Sequence, residues 1–148
     1  MYSTPLLRLV VLRVQSNDPM AGYDRERSQV SDDKLSEWLG ADLTECIMSV
    51  PGIGPSAATA LSLDVTNECG EVSDPGITTT FQLLGKFLHL RQAGMTTQAH
   101  CDAMWHWLKS RGVATYRAGI VHCLLEKALV MVPSIGDNDH MDASEEAA

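Results

Sequence analysis

The chain has 148 residues, a formal net charge of -8, 45% hydrophobic side chains and four cysteines with no CxxC pair. This is the length of one domain with a buried core, which excludes a wholly disordered chain, and the cysteine spacing argues against a disulfide framework and for reduced thiols in a cytosolic or nuclear setting. The charge is divided: +1 over residues 1–30, -8 over 31–76, +4 over 77–135 and -5 from Gly136 onward, so a basic half is joined to an acidic half, a hint of a nucleic-acid surface.

The opening "MYSTPLLRLVVLRV" is interrupted by Arg8 and Arg13, and its apolar run is too short to span a bilayer. No membrane contact is expected. Residues 1–30 end in the polar run "SNDPMAGYDRERSQVS" and are expected to form a mobile arm, with the helical domain at 31–133 and a disordered acidic tail at 134–148. Apolar positions at Leu35, Trp38, Leu39, Leu43, Cys46 and Ile47 predict a first helix that starts at Ser31 or Asp32 and stops near Met48 or Ser49, ahead of Pro51. Pro55 suits the first turn of a second helix through "PSAATAL". Residues 63–76, with four acids, two Gly and a Pro, read as an exposed loop.

A third helix follows Thr79, which stands three residues before Gln82 at capping-box spacing, and closes at Gly94. A fourth, with its own Thr cap, carries Cys101, Met104, Trp105 and Leu108 on its apolar stripe and stops at Gly112. The last begins near Thr115 and ends before Pro133. No strand with convincing alternation is visible, so the expected class is all-α, a compact bundle of about five short helices.

The stretch "SVPGIGPSAATAL" carries the chemistry. Glycines at 52 and 54 let backbone approach a foreign surface, and the amides of Gly54 and of the first turn after it lack intrahelical carbonyls, which makes them an anion site at a helix N-terminus. Ile53 is expected to plug the turn from within. This is the pattern of a helix-hairpin-helix, whose usual partner is the DNA sugar-phosphate backbone, contacted without base readout. A plain αα-hairpin turned by Gly and Pro is the competing reading.

Further along, "FQLLGKFLHLRQ", "AMWHWLKSRGV" and "HCLLEKAL", in this order after the "GIG" hairpin, resemble barrier-to-autointegration factor, over roughly residues 31 to 132. The resemblance implies a SAM-like five-helix fold and a homodimer in which each subunit grips double-stranded DNA through its hairpin, so that the pair bridges two duplexes in chromatin. It places Gly52, Ile53, Gly54 and the amides of Ser56 and Ala57 against phosphate, and makes the "LLGKFL" helix, with Leu84, Gly85, Phe87 and Leu88, the pairing face. Lys34, Arg111 and Arg117 are the basic residues expected beside the hairpin. The family also meets nuclear-envelope proteins and lamins, and no residues here carry those contacts over; the implied location is nucleus or cytoplasm. Where the family has lysines just after the hairpin this chain has Ser56, Ala57, Ala58 and Thr59, and Asp32 and Asp33 replace basic residues, so weaker binding is expected.

Catalysis, metal and cofactors are not expected. His100, Cys101, His106, His122 and Cys123 lack zinc-site spacing, and Trp105 belongs to the core stripe while Trp107 is open to either role. The hairpin also resembles that of base-excision glycosylases, with Asp64 and Asp74 downstream, but about 50 residues before the turn leave no room for a body that holds a flipped base. The alternative function is a protein-interaction module of the same fold and dimer, its acidic loop and tail contacting basic partners such as histones.

Overall fold

Five α-helices, a two-stranded sheet and three 3-10 turns make up residues 22–136, the part of the chain that the computed structural model describes. Helix α1 (Asp32–Gly40) is capped by Ser31, whose Oγ accepts from the Lys34 amide at 3.2 Å. It buries Trp38, whose Nε1 donates to the Cys123 carbonyl at 2.8 Å. The helix does not continue to Met48. Lys127 Nζ, from the last helix, donates to the Trp38 carbonyl at 2.7 Å and to that of Ala41, so the helix end is satisfied by a side chain. Thr44 then binds Thr80 through both backbone groups, its amide donating to Thr80 Oγ1 at 2.6 Å and its carbonyl accepting from the Thr80 amide at 3.1 Å. The stripe at Leu43 and Ile47 therefore reaches the core from irregular chain and a 3-10 turn (Ile47–Ser49), and Cys46 is exposed.

Helix α2 (Pro55–Ser62) leads into a second departure from expectation. The acidic stretch 63–76 is exposed, yet it folds as an antiparallel pair, β1 (Val65–Thr66) with β2 (Val72–Asp74), Val65 opposite Asp74 and a bulge after it. The class is thus predominantly helical with a small sheet rather than all-α. Two strands alone are marginal in water. This pair is anchored: Asp74 Oδ2 accepts from Trp107 Nε1 at 2.8 Å and from Arg111 Nη1 at 3.0 Å, and Arg111 Nη2 donates to the carbonyls of Leu61 and Leu63. Gly76 presses so closely on the end of α2 that a Cβ there would overlap the Ser62 carbonyl.

Helix α3 (Thr80–His89) opens with both hydrogen bonds of the Thr79–Gln82 capping box and ends at His89, ahead of the expected Gly94. Helix α4 (Thr97–Ser110) is capped by Thr96 Oγ1 and stops before Gly112, whose φ is 92°. Helix α5 (Arg117–Met131) is the axis of the molecule: nine of its residues are buried, apolar on nearly every side as a central helix must be. Helices α1, α3 and α4 pack on it, as does the 3-10 turn Arg25–Arg27.

That last contact corrects the boundary drawn at residue 30. Tyr23 is buried, its amide donates to Asp102 Oδ1 at 2.8 Å, Gln98 Nε2 donates to its carbonyl at 2.8 Å, and Ser28 Oγ lies 2.9 Å from His122 Nδ1. Residues 22–30 are part of the body. The chain also stays packed past 134, because the turn Pro133–Gly136 buries Ile135 and its carbonyl accepts from Arg91 Nε at 3.1 Å. The rest of the expected arm, 1–21, and of the expected acidic tail, 137–148, lie outside the described residues. Among the described residues no helix is long and apolar enough to cross a membrane.

Candidate nucleic-acid interface

The hairpin is built from the 3-10 turn at Ile47, a second turn in which the Ile53 amide donates to the Val50 carbonyl at 3.1 Å, and α2. Val50 and Ile53 are 1% and 5% exposed, so apolar burial locks the turn from beneath. Gly52 is dictated by geometry: its φ is 98°, and a Cβ there would come within 3.0 Å of Ile120 Cγ1. Gly54 is different. Its φ of -99° suits any residue, and nothing lies within 4 Å of the position a Cβ would take. A side chain at 54 has open space at the mouth of α2.

Those amides are unpaired among the described residues. Gly54, as N-cap, contributes its carbonyl, which accepts from the Ala58 amide at 2.9 Å, and the N–H groups of Gly54, Ser56 and Ala57 have no acceptor among the described residues. Pro55 has no N–H to leave unpaired. They open into a cleft of about 660 Å³ that Lys34, at the start of α1, and Tyr116, just before α5, also line. Among the described residues none of the side chains lining it is a carboxylate. Three unpaired amides on a helix dipole with one ammonium beside them can hold an anion.

Of the residues expected at phosphate, Gly52, Ile53, Gly54, Ser56, Ala57 and Lys34 do come together around this cleft. Three corrections follow. The Ile53 amide is spent inside the turn, so it is no phosphate ligand. Arg111 is buried, 7% exposed, and bound to Asp74 and the end of α2; a cation was needed there to hold the acidic hairpin on the body. Arg117 turns back to cap the preceding chain, Nη1 donating to the carbonyls of Val113 at 2.6 Å and Ala114 at 3.1 Å, with its guanidinium 4.4 Å over the Trp105 ring.

The expected pairing face is also divided. Leu84 and Phe87 are 4% and 0% exposed within the single chain and belong to its core. Gly85 is on the outside with open space around it, Leu88 is half-buried, and Phe81, one turn before Gly85, is 51% exposed. Phe81, Gly85 and Leu88 are the outward row.

The remaining candidates are held in structural roles. Trp107 is fixed by Asp74 and flanked by Lys86 and Arg111, whose charges lie 5.3 and 5.2 Å from its ring. His100 stacks on Phe87 at 4.0 Å and places Nε2 2.6 Å from the Phe87 carbonyl; burial holds its pKa down. Burial pushes the Cys101 and Cys123 thiols up to about 12, so neither is a nucleophile at neutral pH. Sequence reasoning missed Tyr116 and Thr115 at the cleft because the signal is a tertiary one, the N-terminus of α5 lying beside a turn more than sixty residues away. It missed Gln29 because residues 1–30 read as a mobile arm. No family model, curated protein or solved structure matches the chain.

Proposed function

We propose that the protein is a non-enzymatic DNA-binding protein of the barrier-to-autointegration type, which holds the backbone of double-stranded DNA without sequence preference at the hairpin and, as a homodimer, bridges two duplexes. The observation that carries the reading is the set of unpaired amides at Gly54, Ser56 and Ala57, open to a cleft with Lys34 at its edge. Phosphate contacts of this kind position a protein on DNA and carry no sequence information. The dimer rests on the resemblance of the "LLGKFL" helix and on the outward row Phe81, Gly85 and Leu88.

The test is a salt titration of binding to short duplexes of unrelated sequence. The reading expects similar affinity for each, falling as salt is raised, and loss of binding in Gly54→Glu with the fold intact, since the side chain has room and only its carboxylate is unwelcome. No binding at any salt would favour the interaction module, whose acidic hairpin would then be the surface to probe with histone tails.

A further inference from the structure

Tyr116 stands between two cavities. One is the hairpin cleft; the other, about 390 Å³, is lined by Arg27, Trp105 and Arg117, and Gln29, Ala114, Thr115 and Tyr116 border both. The tyrosine is 58% exposed although its backbone is tightly held: its carbonyl accepts from the Ile120 amide at 3.0 Å, and its Cβ would lie 3.5 Å from a Cβ on residue 52. An exposed aromatic side chain therefore stands between the two cavities, with the hairpin amides and Lys34 lining one and Arg27 and Arg117 lining the other.

Cationic grooves interrupted by an exposed aromatic ring suit a polynucleotide strand whose bases can leave the stack. An intact duplex keeps its bases paired inside and offers the ring only sugar and phosphate edges, whereas an unpaired nucleotide can lay its base on the tyrosine. We propose that Tyr116 is a stacking platform for an unpaired base, its flanking phosphates seated at the hairpin amides and beside Arg27, so that the groove favours gapped duplex over intact duplex. Arg117 lends only its charge, since Nη1 is already committed to two carbonyls. Arg27 is exposed and lies 3.9 Å from Asp24, a pair weak enough in water to yield to a phosphate.

The inference rests on the backbone-binding reading of the hairpin, and its test separates the two. Fluorescence anisotropy compares an intact duplex, the same duplex with a central single-stranded gap, and the free single strand, for the wild type, Tyr116→Asn, Tyr116→Phe and Arg27→Ala. Asn accepts the left-handed backbone at 116, φ 63°, and removes the ring without disturbing the turn. The expected result is tighter binding of the gapped probe by between about fivefold and about 150-fold, the range of one base stacked on an aromatic ring. That advantage disappears in Tyr116→Asn, survives in Tyr116→Phe and shrinks in Arg27→Ala. Equal affinity for gapped and intact probes, or an advantage that persists in Tyr116→Asn, overturns the inference and leaves the backbone reading standing. Failure to bind any of the three overturns both.

Discussion

Lys127 shows how one side chain can end a helix. It is 3% exposed, its Nζ serves the carbonyls of Trp38, Leu39 and Ala41, and it lies 4.8 Å over the Trp38 ring. A cation at a helix C-terminus is favoured by the dipole, and removing it leaves buried acceptors unmet. Lys127→Met is expected to lower stability by about 2–4 kcal/mol, measured by urea unfolding, although it touches neither the cleft nor the outward face of α3. His100 and His122 give the fold its acid sensitivity. Burial lowers the pKa of both below 6.5; for His122, Arg25 acts in the same direction while Glu126 and Asp32 oppose it. Below pH 6.5 the unfolded chain takes up protons that the folded chain refuses, so stability is complete above that pH and falls as pH drops toward the folded-state values. Thermal unfolding should show a falling Tm from about pH 7 down to about pH 5, and a flat profile there contradicts the burial of these rings as neutral groups. Asp74 acts in a lower window: burial pulls its carboxyl up, but the Trp107 hydrogen bond with Lys86 and Arg111 outweighs this and holds it below 3.8, so its contribution is lost only as pH falls through that range.

At the scale of elements, α3 has a buried side and an exposed side that one sequence stripe cannot separate. Leu84 and Phe87 face the core, and truncating either to Ala is expected to cost about 2–5 kcal/mol of fold stability whether or not a dimer forms. Gly85 is the discriminating position. It is exposed inside a helix, where Ala is favoured by about 1 kcal/mol, so Gly85→Ala should stabilise the protomer. If two copies of α3 approach closely there, the same substitution weakens the dimer, and light scattering across a dilution series should show a raised dissociation constant. An unchanged dimer with a more stable fold places the pairing face elsewhere.

Helix starts were legible because they depend on local chemistry: Ser31, Thr79 and Thr96 each cap the helix expected of them, and Pro55 opens α2. The end of α1 was not, because Lys127 and Thr80 decide it from 86 and 36 residues away. The acidic hairpin was hidden for the same reason, since its anchor is a buried arginine that in sequence looks like an ordinary basic helix end. The candidate site was half legible: a glycine turn before a proline-started helix announces its free amides, while the cations that would accompany them depend on which side chains the body has already engaged.

For the whole molecule the division of charge sets the strength of any contact with DNA. Lys34 is the ammonium at the cleft, and it is preceded by Asp32 and Asp33 in the first turn of α1. Those carboxylates favour the helix dipole and oppose a phosphate beside it. Asp32→Asn with Asp33→Asn should tighten duplex binding at low salt while lowering helix stability slightly, by about 0.3–1 kcal/mol per charge, and with so few cations engaged the salt slope should be shallow, about one unit per phosphate neutralised. Unchanged affinity in that double variant would mean that DNA does not approach α1.

The most direct measurement is of the amides themselves. In a titration of isotopically labelled protein with a short duplex at low salt, followed through backbone amide resonances, the N–H groups of Gly54, Ser56 and Ala57 should show the largest shifts. The buried Ile53 amide, already bonded to Val50, should move less. Binding that leaves those three resonances in place, with the shifts gathered on another face, would contradict the account.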